Sequence, residues 1–98
     1  MSKPPHDIHI RMTPHAYSRS FDRGIDKKQI ESVLKNPIET IYDKERKNYK
    51  SFGMPTNPLM KEQPYLLIVH SKFNSTVKVI TVMWKGKGGL KGHGFSKL

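Results

Sequence analysis

His15, Arg19 and Arg23 recur at four-residue intervals, so one helix would hold an imidazole and two guanidinium groups in a single line. On a wheel of about 100° per residue they fall within roughly 80° of one another, with Asp22 beside them. A guanidinium can grip a phosphate through two hydrogen bonds and neutralise charge as a pentacovalent state forms. An imidazole in the first helical turn lies beside free backbone N–H groups that attract anions, a setting suited to a general base near neutral pH. Together these groups fit RNA cleavage by attack of the ribose 2′-OH, which requires no metal. From spacing alone, a solvated charged face with Arg19 paired to Asp22, or Arg23 to Asp26, accounts for the pattern equally well.

The helix carrying this line is bounded by Thr13 as N-cap, Pro14 as first helical residue and Gly24 as a left-handed stop. Its opposite side holds Tyr17, Ser20 and Phe21, so Tyr17 and Phe21 are expected to pack against a sheet. Before it, Ile8, Ile10 and Met12 alternate with polar residues and predict a short strand. After it, Asp26 and Gln29 form a capping-box pattern, Ile30, Val33 and Leu34 an apolar face, and Asn36 with Pro37 the end of a second helix. Alternation over residues 38–42 and 49–52 predicts a hairpin turning through the charged residues 43–46. Residues 53–64, with Pro55, Pro58 and Pro64, read as a long loop. Residues 65–71 and 76–84 are apolar at most positions and are expected to be central strands.

Ninety-eight residues with 35% hydrophobic content fit one domain with one core. We divide the chain into a domain over residues 1–85 and a Gly/Lys-rich tail over 86–98, expected to be flexible until bound. Eighteen Lys and Arg against eight Asp and Glu leave a net charge of +10, which calls for a polyanionic partner. Nucleic acid leads; an acidic protein or an anionic membrane surface are the other readings. No carboxylate follows Glu62, so the C-terminal third has no ligands for a two-metal nuclease centre. There is no cysteine. With no signal-like or membrane-spanning run, a cytoplasmic site of action without membrane partners is expected, although a toxin domain cut from a larger exported protein would have the same composition.

Tyr42, Tyr49 and Trp84 lie among Lys47, Lys50 and Lys85, an interleaving suited to base stacking with phosphate contacts. Trp84, as a lone tryptophan, also fits the core, and His70 reads as a core or rim residue. His6, His9 and His93 are scattered among Pro or Gly, so no metal and no cofactor is assigned.

The helix pattern His15, Arg19, Arg23, Gly24, Ile25, the second helix ending at Asn36 and Pro37, and the late strand from Val79 to Trp84 resemble DUF4258, a bacterial and archaeal domain of unknown function. The resemblance covers about residues 8–85. It places the chain with RelE-like ribonuclease toxins, in the group of barnase, EndoU and the colicin ribonucleases. That implies an α+β fold: two N-terminal helices on a four-stranded antiparallel sheet, with a short N-terminal strand beside it. It further implies a metal-independent endoribonuclease, toxin or toxin-like, that leaves a 2′,3′-cyclic phosphate. By position His15, Arg19, Arg23 and Thr81 would be catalytic, with Thr81 bonding a phosphate oxygen. Tyr42, Tyr49, Lys50, Trp84 and Lys85 are the substrate-binding candidates. The implied partners are messenger RNA on the ribosome or tRNA, and an acidic antitoxin or immunity protein. Two alternatives stand: a non-catalytic RNA- or DNA-binding module, and a protein-interaction domain whose basic tail takes an acidic partner.

Overall fold

The computed structural model describes residues 9–56, 58 and 60–98, which leaves Ile8 and His6 outside the described residues. Among these the elements run β1 (His9–Met12), α1 (Pro14–Asp22), α2 (Lys27–Lys35), β2 (Glu39–Asp43), β3 (Asn48–Gly53), β4 (Tyr65–Phe73), β5 (Thr76–Lys85) and α3 (Lys87–Gly92). The strands form one sheet in the order β1-β5-β4-β3-β2. Neighbours among β2 to β5 are antiparallel, whereas β1 runs parallel to β5, with His9 opposite Thr76 and Met12 opposite Val79.

The expected four-stranded antiparallel sheet with two helices is therefore corrected to a five-stranded mixed sheet with three. Two physical reasons lie behind the difference. Ile10 and Met12 pack against the core, so the short first strand has an apolar side to bury and takes the free edge of β5. The tail supplies apolar anchors of its own: Leu90, Phe95 and Leu98 close over Phe52 and Leu67. The residues expected to form a flexible arm are thus part of the packed structure. Gly94, at φ 99°, turns the chain after α3, and the amide of Phe95 donates to the Leu90 carbonyl at 3.2 Å. The Glu39 carboxylate then accepts hydrogen bonds from the backbone amides of Ser96 and Lys97 and from the Ser96 hydroxyl.

Alternation along the strands divides the core between the two faces of the sheet. On the helix side, Leu66, Ile68, Val79, Val82 and Trp84 meet Ala16 of α1, Ile25, and Ile30 and Val33 of α2. On the tail side, Phe52 and Leu67 meet Leu90 and Phe95. The alternation of β5 shifts once, because Val69 faces Thr81 and His70 faces Val79, leaving Ile80 as an extra residue.

Both predicted helix starts are realised. The Thr13 hydroxyl accepts from the Ala16 amide, and Asp26 and Gln29 cap each other's backbone. Gly24 has the left-handed φ of 65° that the stop requires. Which side of α1 packs differs from expectation: Tyr17 and Phe21 are 70% and 84% exposed, and the buried residues are Ala16 and Ser20. The cause is how the helix is tied. Thr13 donates its hydroxyl to the Ile80 carbonyl and its amide to that of Val79, and Arg23 donates to that of Val82. Held at both ends against β5, the helix lies close to it, and only small residues fit between.

At the far end of the sheet the loop after β3 touches the start of α3. A Cβ on Gly86 would stand 2.7 Å from the Glu62 carbonyl, so this approach admits only glycine. Among the described residues, no helix is long and apolar enough to cross a membrane.

Candidate functional site

His15 occupies the second position of α1, fixed there by Thr13 and Pro14. It is exposed, and its side chain makes no hydrogen bond or ion pair among the described residues. Arg19, one turn on, is equally exposed and unpaired. The ion pairs of the described residues are Arg46 and Lys50 with Asp43, so neither arginine of α1 is neutralised by Asp22 or Asp26.

Arg23 is placed differently. Half-buried, it donates from Nη1 to the Val82 carbonyl at 2.7 Å, while Trp84 donates its indole N–H to the Arg23 carbonyl at 2.9 Å. Arg23, Trp84 and Lys85 line one cleft of about 340 Å³ with Met60, Gln63 and Met83. Three predicted residues thus converge there. Trp84 is buried, as its lone occurrence suggested, and forms part of the cleft wall.

At 1.5 Å rise per residue, His15 and Arg19 are offset by about 6 Å along α1, and His15 and Arg23 by about 12 Å. Long side chains let the first two address one phosphate, but Arg23 belongs to another. Thr81 is farther still: it pairs with Val69 and alternates with Val82, so it faces the tail side, across the sheet from α1. The four predicted catalytic residues do not form one cluster. The line on α1 divides into two places, His15 and Arg19 at one and the Arg23 cleft at the other.

The predicted aromatic residues fall on the helix side near the β2–β3 turn. Tyr42 and Tyr49 are directly opposite, their rings 5.0 Å apart, and Tyr49 stacks on His70 at 5.8 Å with planes 18° apart. The Lys72 ammonium lies 5.8 Å from the Tyr49 ring centre. This row runs across three strands and ends on Tyr42, which is half exposed and presents a ring for stacking. His70 and Lys72 were not among the predicted site residues. Their two-residue spacing placed them on one strand face, but only the register that puts His70 opposite Tyr49 shows which row they join.

His70 is buried, and its Nε2 is 2.8 Å from the Ser51 hydroxyl, which in turn is 2.7 Å from that of Thr40. Its Nδ1 has no partner among the described residues. Burial, with the nearby Lys72 charge, pushes its pKa down to about 4. The folded protein thus binds fewer protons at this ring than the unfolded chain between about pH 6.5 and pH 4, and stability falls as the pH drops through that window. The expected loss is about 3 kcal/mol. Denaturant midpoints measured against pH should show it in the natural protein and not in His70→Gln.

Lys50, the remaining substrate-binding candidate, faces the tail side and is engaged there. Its ammonium donates to the His93 carbonyl at 3.3 Å and lies 3.5 Å from the His93 ring and 4.0 Å from the Asp43 carboxylate. Desolvation, then Lys50 and Lys85, lower the pKa of His93. This cluster fastens the end of α3 to the sheet. Among the described residues, no three of His, Asp and Glu gather as a metal site.

No curated protein and no solved structure shows detectable similarity to the chain. Residues 12–84, which span α1, α2, β2 to β4 and β5 as far as Trp84, match the model of DUF4258, described as a domain of unknown function, and the chain belongs to that family.

Proposed function

We propose that this domain binds RNA and cleaves it without a metal ion, His15 acting as base and Arg19 as the phosphate-neutralising group. The supporting observation is the state of these two side chains: one turn apart on a fixed helix start, both exposed, and both without partners among the described residues. In the proposed step His15 takes the proton of a 2′-OH, the 2′-oxygen bonds to phosphorus, and the bond to the 5′-oxygen breaks. The leaving oxygen takes a proton from water, and the product is a 2′,3′-cyclic phosphate. Arg23 and Lys85 hold the neighbouring phosphate in their cleft, and Tyr42 stacks a base.

This reading retains the proposed kinship with RelE-like ribonuclease toxins and a cytoplasmic RNA substrate, messenger or transfer. A basic nuclease of this kind, made in its own cell, would be held in check by an acidic antitoxin or immunity protein. The test is incubation of the purified protein with total RNA in EDTA. Cyclic-phosphate ends are expected, and intact RNA, or cleavage that needs Mg²⁺, rejects the proposal.

A second reading, a non-catalytic RNA- or DNA-binding module, is favoured by one observation: Thr81 lies across the sheet and Arg23 is bonded to Val82, so the predicted set does not converge. It predicts binding without cleavage, and affinity unchanged in His15→Ala.

A further inference from the structure

Arg11 of β1 and Lys78 of β5 stand directly opposite each other in the parallel ladder. Lys78 alternates with Val77 and Val79, and Arg11 with Ile10 and Met12, so both point away from the helix-side core to the tail side of the sheet. Both are exposed, and neither makes an ion pair among the described residues. Like charges directly opposite on neighbouring strands are destabilising. Nothing within the described residues offsets this pair.

The two cations line a concavity of about 650 Å³. Ser71, in register with Lys78, and Thr76 add hydroxyls, and Phe73, 76% exposed, adds a ring at the rim. Lys72, whose ammonium also stands 5.8 Å from the Tyr49 ring centre, lines the same groove, as do Met12, Thr13 and Pro14, and no carboxylate of the described residues lines it. α3 and the tail cover the sheet around Phe52 and Leu67 and leave this end open.

We infer that this groove, which runs up to Thr13 and Pro14 at the start of α1, binds the phosphate backbone of single-stranded RNA, a second binding surface beside the line on α1. Adjacent phosphates offset the Arg11 and Lys78 repulsion, the hydroxyls of Ser71 and Thr76 donate to phosphate oxygens, and Phe73 supplies a stacking face. An acidic protein segment is the competing occupant. The hydroxyl pair and the exposed ring beside the cations favour nucleic acid, which presents both phosphate oxygens and base faces. The inference rests on reading the domain as one that acts on RNA.

The probe is a short, fluorescent 2′-O-methyl oligouridylate, which lacks the nucleophile for 2′-OH attack, so binding is read without cleavage. The variant is Arg11→Thr/Lys78→Thr, chosen because threonine suits a strand. Its log–log salt slope should be shallower than that of the natural protein by about 1.4, roughly 0.7 for each phosphate that no longer meets a cation. Lys35→Ala, at an exposed position in the last turn of α2, should leave the slope unchanged. In low salt the double variant should melt at or above the natural temperature, since a repulsion has been removed, and the oligomer should raise its melting temperature less. An unchanged slope in the folded double variant overturns the inference, as does an oligoglutamate whose binding depends on Arg11 and Lys78 while oligouridylate binding does not. An unchanged slope alongside intact cleavage rejects the groove alone. A groove-dependent slope in a protein that never cuts RNA rejects the proposed cleavage alone.

Discussion

Replacing His15 with alanine is expected to lower metal-free RNA cleavage by roughly 10²- to 10⁴-fold, the contribution of a positioned general base. The imidazole is exposed, at the start of a helix held by the Thr13 cap, and without a partner among the described residues. The fold should not register the change. Arg19→Ala, at an equally exposed site, should cost about 10²- to 10³-fold by leaving developing phosphate charge unpaired. Arg23→Ala should behave otherwise, since its guanidinium also closes the edge of β5 through the Val82 carbonyl. A loss of thermal stability should accompany its loss of RNA affinity. Single-turnover cleavage in EDTA, paired with a melting curve for each variant, separates these roles. Natural cleavage in His15→Ala would remove the imidazole from the reaction.

The largest stability effect is expected at Phe95. It is 4% exposed, stands edge-on to Phe52 at 4.7 Å, and packs with Leu67 and Leu90. Truncating such a ring to alanine costs about 3–5 kcal/mol. For a domain whose total stability is about 5–15 kcal/mol, that is a large share. Denaturant midpoints give the number, and proteolysis of the natural and variant proteins shows where it acts, with cutting after Lys85 much faster in Phe95→Ala. A change below about 0.5 kcal/mol, the range of ordinary surface substitutions, would instead describe a loose arm.

The contrast between α1 and the tail shows what the sequence made legible. Thr13, Pro14, Gly24, Asp26 and Gln29 act through the backbone of their own neighbours, so the two helix starts could be read locally. The packing side of α1 could not, because Thr13 and Arg23 choose it through carbonyls of β5 far along the chain. The glycines and lysines of residues 86–98 outweighed Leu90 and Phe95 in composition, but burial depends on where the few apolar side chains land. Tyr42 and Tyr49 were legible as strand residues beside lysines, whereas their row with His70 and Lys72 depends on register. Lys50 shows the same limit from the other side: a plausible phosphate contact in sequence, it is spent on His93 and Asp43 in the fold.

The ties between α1 and β5 also govern how the chain can fold. The Thr13 bond to Ile80 spans 67 residues, and the Trp84 and Arg23 bonds span 61 and 59. A nascent chain that ends before β5 has no seat for either β1 or α1, and residues 86–98, which close the other face, are made later than β5. Non-local closure of this kind slows folding, because loop entropy is lost before the contacts that reward it exist. Assembly therefore waits until β5 and residues 86–98 have been synthesised, and until then the first helix is part of an open, unfolded chain.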